Sequence, residues 1–467
     1  MWQRLCGNPM LLLVVLKEIR HNILTLRFAV IYSLFFVLTV ISMVLLSANY
    51  QSQWENYVRA KASERENLGA MEGTRDLRWQ GTKVQKEPGK LGLLSLGLDK
   101  EMSRSAFVSS RGGVEVGASQ YPNPISALFA TPDLSYVVNV VISLLALLLT
   151  FDAISGENEE GTLRLMLANA VPRDVLLVGK WFGGYIALVV PFLLAVGVGF
   201  VLSVLFTDLT LDAESWMRTA TLMLLSLLYI SVFFTLGILI STFNHRSSTA
   251  LMASLFVWVF IVLTVPNVVP ILARQIAGIP SLGMLDGQRA AIEHEQWRSA
   301  RQRMRSAASD DERRSMYLEV RENITREWTR IQGEYENKID EQIELAQILS
   351  RISPSASFVY AATNLTGTGI AEFRNLADYT KQYQGRFADT VRELSREERD
   401  RESERTAEQT VDAPPFDIDR LPVFRAEGDS FARSLQGSML DIGLLVAFNI
   451  AFLLVSYIKF MRYDVCE

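Results

Sequence analysis

Only two cysteines occur in 467 residues, Cys6 and Cys466, one near each end. If both ends face a reducing compartment, neither a disulfide framework nor thiol chemistry is expected. The three histidines, His21, His245 and His294, are far apart, and the topology derived below puts them in different compartments. They assemble no metal site. A G-x-x-x-x-G-K-[S/T] phosphate loop is missing, and Gly179-Lys180 lacks the rest of that motif. The chain is therefore not expected to bind ATP. G-x-S-x-G and H-E-x-x-H are also missing, so no catalytic constellation is visible. A net charge of −5 argues against nucleic acid as a partner.

Charge is missing in another way, by place. Hydrophobic residues make up 49% and charged residues 21%, averages that hide sharp segregation. Six runs are almost free of charge: residues 28–46, 134–151, 181–206, 217–240, 249–272 and 442–457. A membrane crossing takes roughly 20 mostly apolar residues. The pattern predicts a mostly α polytopic membrane protein with six spans. Pro266, Asn267 and Pro270 predict a kink or an unwound turn in the fifth.

Short loops set the orientation. Arg4, Lys17, Arg20, Arg27, Arg164, Arg173, Lys180, Arg246, Lys459 and Arg462 fall on one side. The loop 207–216 on the other side has no Lys or Arg and carries Asp208, Asp212 and Glu214. This predicts a multi-pass inner or cell membrane protein with both termini cytoplasmic. Residues 47–133 and 273–441 then form two large outer, periplasmic domains. Residues 442–467 supply the sixth span and a cytoplasmic tail.

The flanking segments follow from periodicity. The short apolar run of residues 10–16 is followed by charge rather than a small-residue cleavage site, unlike a signal peptide. Leu12, Leu16, Ile19 and Ile23 recur opposite Lys17 and Arg20, so residues 1–27 are read as an interfacial helix. A helix packed on protein would carry the same pattern. Val84, Leu93, Leu94, Leu96, Phe107 and Val108 among Gly and Pro predict a small mixed α/β lobe. The segment 121–133 leads back to the membrane. Tyr317, Val320, Ile324, Trp328, Ile331, Tyr335 and Ile339 form a helical stripe six turns long. Its partner is another helix of the chain, a second copy or an outer protein. Residues 352–370 read as a loop and short helix near the membrane surface. Residues 395–408 read as a solvated charged face, and Ala413-Pro-Pro-Phe as a turn. Asn139 and Asn449 read as hydrogen-bonding residues between spans.

Between the second and third spans lies DAISGENEEGTLRLMLANAVPRDVLLVGK, residues 152–180. Ser155 suits a helix cap, with Glu157, Glu159 and Glu160 in the first turn. Thr162, Leu163, Leu165, Met166 and Leu167 supply an apolar surface too short to span. The segment reads as a short rigid helix at 155–170 able to transmit force to a partner, or as a plain interfacial loop helix.

Asp152-Ala-Ile-Ser-Gly-Glu157, Glu160-Gly-Thr-Leu-Arg-Leu-Met-Leu and Val171-Pro-Arg-Asp through Gly179-Lys180 resemble the pattern of ABC-2-type exporter permeases. The likeness extends over the six-span core. It is nearest the subgroup with large outer insertions, which includes gliding-motility and nitrous-oxide-reductase-maturation permeases. In that subgroup a lobe like residues 86–107 precedes the second span, and a segment like Ser353-Pro through Gly367-Thr368 precedes the last. Glu87-Pro88-Gly89 departs from the more basic turn of the subgroup.

The resemblance implies a permease subunit that moves an amphiphilic substrate outward. A mechanotransmission subunit acting on an outer envelope protein is the alternative. It implies a second permease copy, as homodimer or related heterodimer, and a separate ABC ATPase subunit that holds ATP and Mg. Glu157, Glu160, Gly161, Thr162, Leu163, Leu165, Met166, Pro172 and Arg173 would contact that ATPase, together with Lys17 and Arg20 of the N-terminal helix. No cofactor or metal is implied for this chain; its other surroundings are membrane lipid.

Overall fold

The computed structural model describes residues 9–71, 73–100, 104–110, 114–116, 132–168, 171–207, 211–306, 309–404 and 417–463. Cys6, Cys466, Arg4, Asp208, most of the 121–133 segment and Ala413-Pro-Pro-Phe lie outside them. The chain divides into two compact units, Met1–Trp258 with Ser357–Glu467, and Val259–Ala356.

The first unit opens with α1 (Pro9–Ile23) and α2 (Leu26–Gly69). Thr25 caps α2 by accepting from the Phe28 N–H. The 44 residues of α2 extend roughly 66 Å at 1.5 Å per residue. Its first half is apolar enough to cross a membrane; its second half is polar and ends in the lobe.

That lobe contains α3 (Thr74–Gln80) and an antiparallel sheet ordered β1 (Thr82–Gln85), β2 (Ser105–Val108), β3 (Val114–Val116). Val84 pairs with Ala106, and Phe107 with Glu115. The lobe core draws on a distant stretch. Tyr383, Phe387, Val391 and Leu394 of α14 (Ile370–Glu404) pack on Leu68, Leu77, Val84 and Val108. The lobe of the 47–133 segment thus shares its core with residues 383–394 of the 273–441 segment. The short sheet has too little apolar surface to close a core and takes a helix from the later segment. The charged run beginning at 395 is also more than a solvated face. Ser395 is buried, Glu398 accepts from the Thr74 N–H and hydroxyl, and Glu397 grips Arg420 at 2.7 and 2.9 Å.

Burial in this core pushes the Tyr383 hydroxyl up to about 12, with Glu64 adding to the rise and Arg386 opposing it. The folded lobe therefore holds this proton more tightly than the unfolded chain does. Its stabilising share is complete below the ordinary value of 10 and is lost as pH rises from there toward 12. Tyr383→Phe should flatten the fall of the unfolding midpoint over that window. Equal slopes in both proteins would refute the assignment.

Among the described residues, five helices are long and apolar enough to cross a membrane: Phe28–Gly69, Arg173–Phe206, Ala213–Phe243, Ser247–Ala277 and Phe431–Met461. The expected second span is the shorter helix α4 (Leu134–Leu148), widened into a π turn at Val137–Ile142. Asp133 caps it through the Tyr136 N–H at 2.6 Å and also accepts from the Leu96 N–H at 2.9 Å. We label the long helices α7 (Arg173–Phe206), α8 (Ala213–Phe243) and α15 (Phe431–Met461). The shorter α9 (Ser247–Trp258) begins the fifth.

Helix α8 is the buried centre of this unit, with Tyr229, Phe233 and Phe234 almost fully enclosed. Polar side chains join the helices around it, as expected where lipid offers no hydrogen bonds. Tyr229 donates to Asn139 at 2.7 Å, Trp181 to Thr235 at 2.9 Å, and Asn449 to Ser231. Asn139 and Asn449 thus link helices, as their setting predicted. Residues 352–370 carry the expected short helix, packed on protein. They contain α13 (Pro354–Thr366), whose Phe358, Ala361, Ala362 and Leu365 are fully buried, with Phe358 stacked on Tyr229 at 4.4 Å. Small alanines permit that close approach.

The second unit is helical. A π turn at Val259–Thr264 precedes α10 (Val265–Ala277), so the proline-rich stretch widens the helix rather than breaking it. Helices α11 (Leu282–Arg305) and α12 (Asp310–Ser350) form a hairpin that supplies the predicted stripe with an intramolecular partner. Val320 is buried, Tyr317 lies 5.2 Å from Trp297, and Arg289 covers Trp328.

Candidate functional site: the coupling segment and its anchors

The segment expected to be one rigid helix is two short ones, α5 (Ser155–Glu159) and α6 (Thr162–Ala168). Gly161 separates them at φ +73°, a left-handed conformation that side chains with a Cβ disfavour. Ser155 is not a cap. It is buried inside α5, and its hydroxyl donates to the Phe151 carbonyl at 2.8 Å. Ser241 of α8 takes the capping role, accepting from the Ile154 and Ser155 N–H groups at 3.0 Å each. The segment is thereby fastened to the central helix.

The anticipated contact residues divide into two sets. Glu160, Gly161 and Leu165 are exposed, Leu165 at 67%, as are their neighbours Glu159 and Arg164, which were not among the anticipated contacts. Thr162 and Met166 are half-buried, and Thr162 donates to the Glu157 carbonyl. Leu163 is fully buried, because the break turns its side of α6 inward. It is no surface contact. Pro172 is exposed and caps α7. Arg173 is engaged within the chain, donating to the carbonyls of Phe460, Met461 and Tyr463 at 3.3, 2.8 and 3.0 Å. Those carbonyls lie at and just beyond the C-terminal end of α15, so Arg173 ties α7 to the last helix.

Glu157 and Lys17, also anticipated as partner contacts, meet each other. Lys17 Nζ lies 3.2 Å from Glu157 Oε1 and 3.6 Å from Met166 Sδ. Beneath them Lys180, its side chain only 4% exposed, bridges Glu157 at 2.8 Å and Glu18 at 2.9 Å. Helix α1 reaches this cluster because α7 presents Gly179 and Gly183 to it. A Cβ at Gly179 would stand 2.6 Å from Val14, and one at Gly183 2.8 Å from the Val15 carbonyl oxygen. The other side of α1 leaves Leu12, Leu13, Leu16, Lys17 and Arg20 exposed. It therefore packs on protein by one face and leaves an apolar, basic face exposed.

Glu159 reaches α9, accepting from the Ser247 hydroxyl at 2.8 Å and its N–H at 3.1 Å. These bonds hold its carboxyl below the usual carboxylate range. Sequence reasoning missed Glu18, Lys180, Ser241 and Ser247 as parts of this site. The four-residue spacing of Gly179 and Gly183 was the available signal, being the small-xxx-small pattern of closely packed membrane helices.

The profile of the ABC-2 family transporter proteins matches residues 12–465. The chain belongs to the ABC-2 transporter family. It is similar to the probable ABC transporter permease protein NosY of Pseudomonas aeruginosa, 30% identical over 172 residues, 37% of this chain and 58% of that protein. It is also similar to the NosY of Stutzerimonas stutzeri, 28% identical over 159 residues, 34% of this chain and 55% of that one. The matches thus span little more than half the length of these relatives. The ABC-2 membership accounts for the apolar helices and gives the broken segment between α4 and α7 its context.

Proposed function

We propose that this chain is the transmembrane permease subunit of an ATP-driven exporter of amphiphilic substrates. It pairs with a second permease copy, and separate ABC ATPase subunits hold ATP and Mg. The observation that carries the reading is the coupling segment itself. Glu159, Glu160, Arg164 and Leu165 are exposed, while Ser241, Lys180 and Lys17 fasten the same segment to α8, α7 and α1. A load applied to the exposed residues would pass into three helices at once. The basic short loops support a cytoplasmic location for this end and for both termini. On that orientation the lobe and the α11–α12 hairpin lie outside, and α4 completes six spans.

Leu165→Asp with Glu160→Lys should abolish co-purification of the ATPase while leaving the monomer folded, since both residues are exposed. An unchanged complex with unchanged ATP turnover would refute the docking site. A second reading, mechanotransmission, is favoured by one feature. Helix α2 runs unbroken from the apolar stretch to Leu68 in the lobe core, so movement in the membrane would reach the lobe directly. Substrate-free ATP turnover with lobe movement would select it.

A further inference from the structure

The α11–α12 hairpin carries its charge unevenly. Beside the start of α11, arginine is paired. Arg289 meets Glu293, Arg326 meets Glu322, and Arg330 meets Glu327 and Glu334. Nearer the connection between the helices the pattern changes. Arg298 and Arg301 of α11 and Arg314 and Arg321 of α12 are exposed. None of the four has a carboxylate partner among the described residues, and Arg298 meets the His294 ring at 3.2 Å.

These four gather around a pair of rings. Tyr317 of α12 lies 5.2 Å from Trp297 of α11 and stays 45% exposed. Arg301 stands one turn from Trp297, and Arg298 one turn from Arg301. Arg314 and Arg321 stand one turn to either side of Tyr317. Residues three or four apart are neighbours on a helix face, so the ring contact brings the two arginine pairs together.

The helix dipole does not account for them. It favours cations in the last turn of α11, where Arg303 and Arg305 lie, and anions in the first turn of α12, where Asp310, Asp311 and Glu312 lie. Arg298 and Arg301 precede the one turn, and Arg314 follows the other. Asp310, the carboxylate nearest the rings by helical spacing, is engaged by Arg313 at 2.7 Å. Four uncompensated positive charges thus collect on a chain of net charge −5.

We propose that this flank of the hairpin docks an acidic protein on the outer side of the membrane. Arginine, tyrosine and tryptophan are enriched where proteins bind proteins, and lysine is depleted there. Residues 273–337 contain no lysine. Each guanidinium can take a carboxylate through two parallel N–H···O bonds, and the rings offer an apolar centre between them. The proposal rests on the outer placement of the hairpin and adds the chemistry of what binds it.

The test puts benzoylphenylalanine in place of Tyr317 in the full chain, in intact cells. It keeps an aromatic ring beside Trp297 and on irradiation should crosslink to a protein whose contact surface is acidic. Arg301→Glu with Arg314→Glu should lower the crosslink yield about tenfold, the modest end of electrostatic steering. Arg326→Glu with Arg330→Glu makes the same change in net charge among the paired arginines and should leave the yield nearly unchanged. All four positions are exposed, and the unfolding midpoint of each variant reports that the hairpin is intact. Raising the salt of the medium during irradiation should lower the yield in the parent chain as well, which tests the charge without any variant.

A crosslink that survives Arg301→Glu with Arg314→Glu would overturn the proposal. So would a crosslink to lipid or to a second copy of this chain, or none at all. Leu318, 58% exposed beside Tyr317, reads the orientation separately. Leu318→Cys with Cys6→Ser and Cys466→Ser should react with an impermeant maleimide in sealed right-side-out vesicles. Reaction only after permeabilisation would overturn the orientation and the outer partner together. Reaction in sealed vesicles without a charge-sensitive crosslink would overturn the partner alone.

Discussion

Lys180→Met should lower stability by about 3–5 kcal/mol, the usual effect of removing one partner from a buried ion pair. Methionine keeps the length and apolar stem of lysine but removes the charge. Glu18 and Glu157 would then face each other without the ammonium that holds both at under 3 Å. Lys17 cannot replace it. Its side chain is 52% exposed and 4.0 Å from Glu18, and exposed pairs contribute only about 0–1 kcal/mol. The unfolding midpoint in detergent should fall, and α1 should loosen from the coupling segment. Adding Glu18→Gln and Glu157→Gln to Lys180→Met should restore much of the loss, since the uncompensated charges disappear. A single variant as stable as the parent would mean that water or lipid headgroups already reach Lys180.

The same cluster marks where sequence reading succeeds and where it stops. Apolar runs reveal membrane helices because a span is a local property, written in consecutive residues. The stripe from Tyr317 to Ile339 was legible for the same reason, and its hairpin partner is the nearest helix in the chain. The lobe was only half legible. Its strands could be read from Val84 to Val108, but the helix that closes its core comes from residues almost 300 positions later. No local pattern carries that pairing. In residues 352–370 the short helix was legible, but its tight packing was not, because small apolar residues suit an exposed and a buried helix equally. In the coupling segment, composition located the site but not its geometry. Gly161 was read as part of a helix, although glycine is the residue that permits the left-handed break found there. Lys180 read as a membrane boundary marker. Its role depends on Glu18, which lies 162 residues away.

Gly183→Val is expected to dislodge α1 from α7. The nearest atoms to an added Cβ are the Glu18 Cβ at 2.7 Å and the Val15 carbonyl oxygen at 2.8 Å. Neither is the flexible end of a side chain, so the helix itself must shift. Overpacking of this kind costs about 1–3 kcal/mol. Gly197→Val on the same helix is the control, since nothing lies within 4 Å of its added Cβ. Trypsin should cut after Lys17 or Arg20 faster in Gly183→Val than in Gly197→Val or the parent. Glycine spacing and ion cluster should also act as one device. A shift of α1 carries Glu18 away from Lys180, so Gly183→Val already disrupts part of what Lys180→Met removes. The double variant should therefore lose less stability than the two single losses added together, as expected for residues that share partners. Strict additivity would separate the two contacts, and the N-terminal helix would then follow the coupling segment through its packing alone.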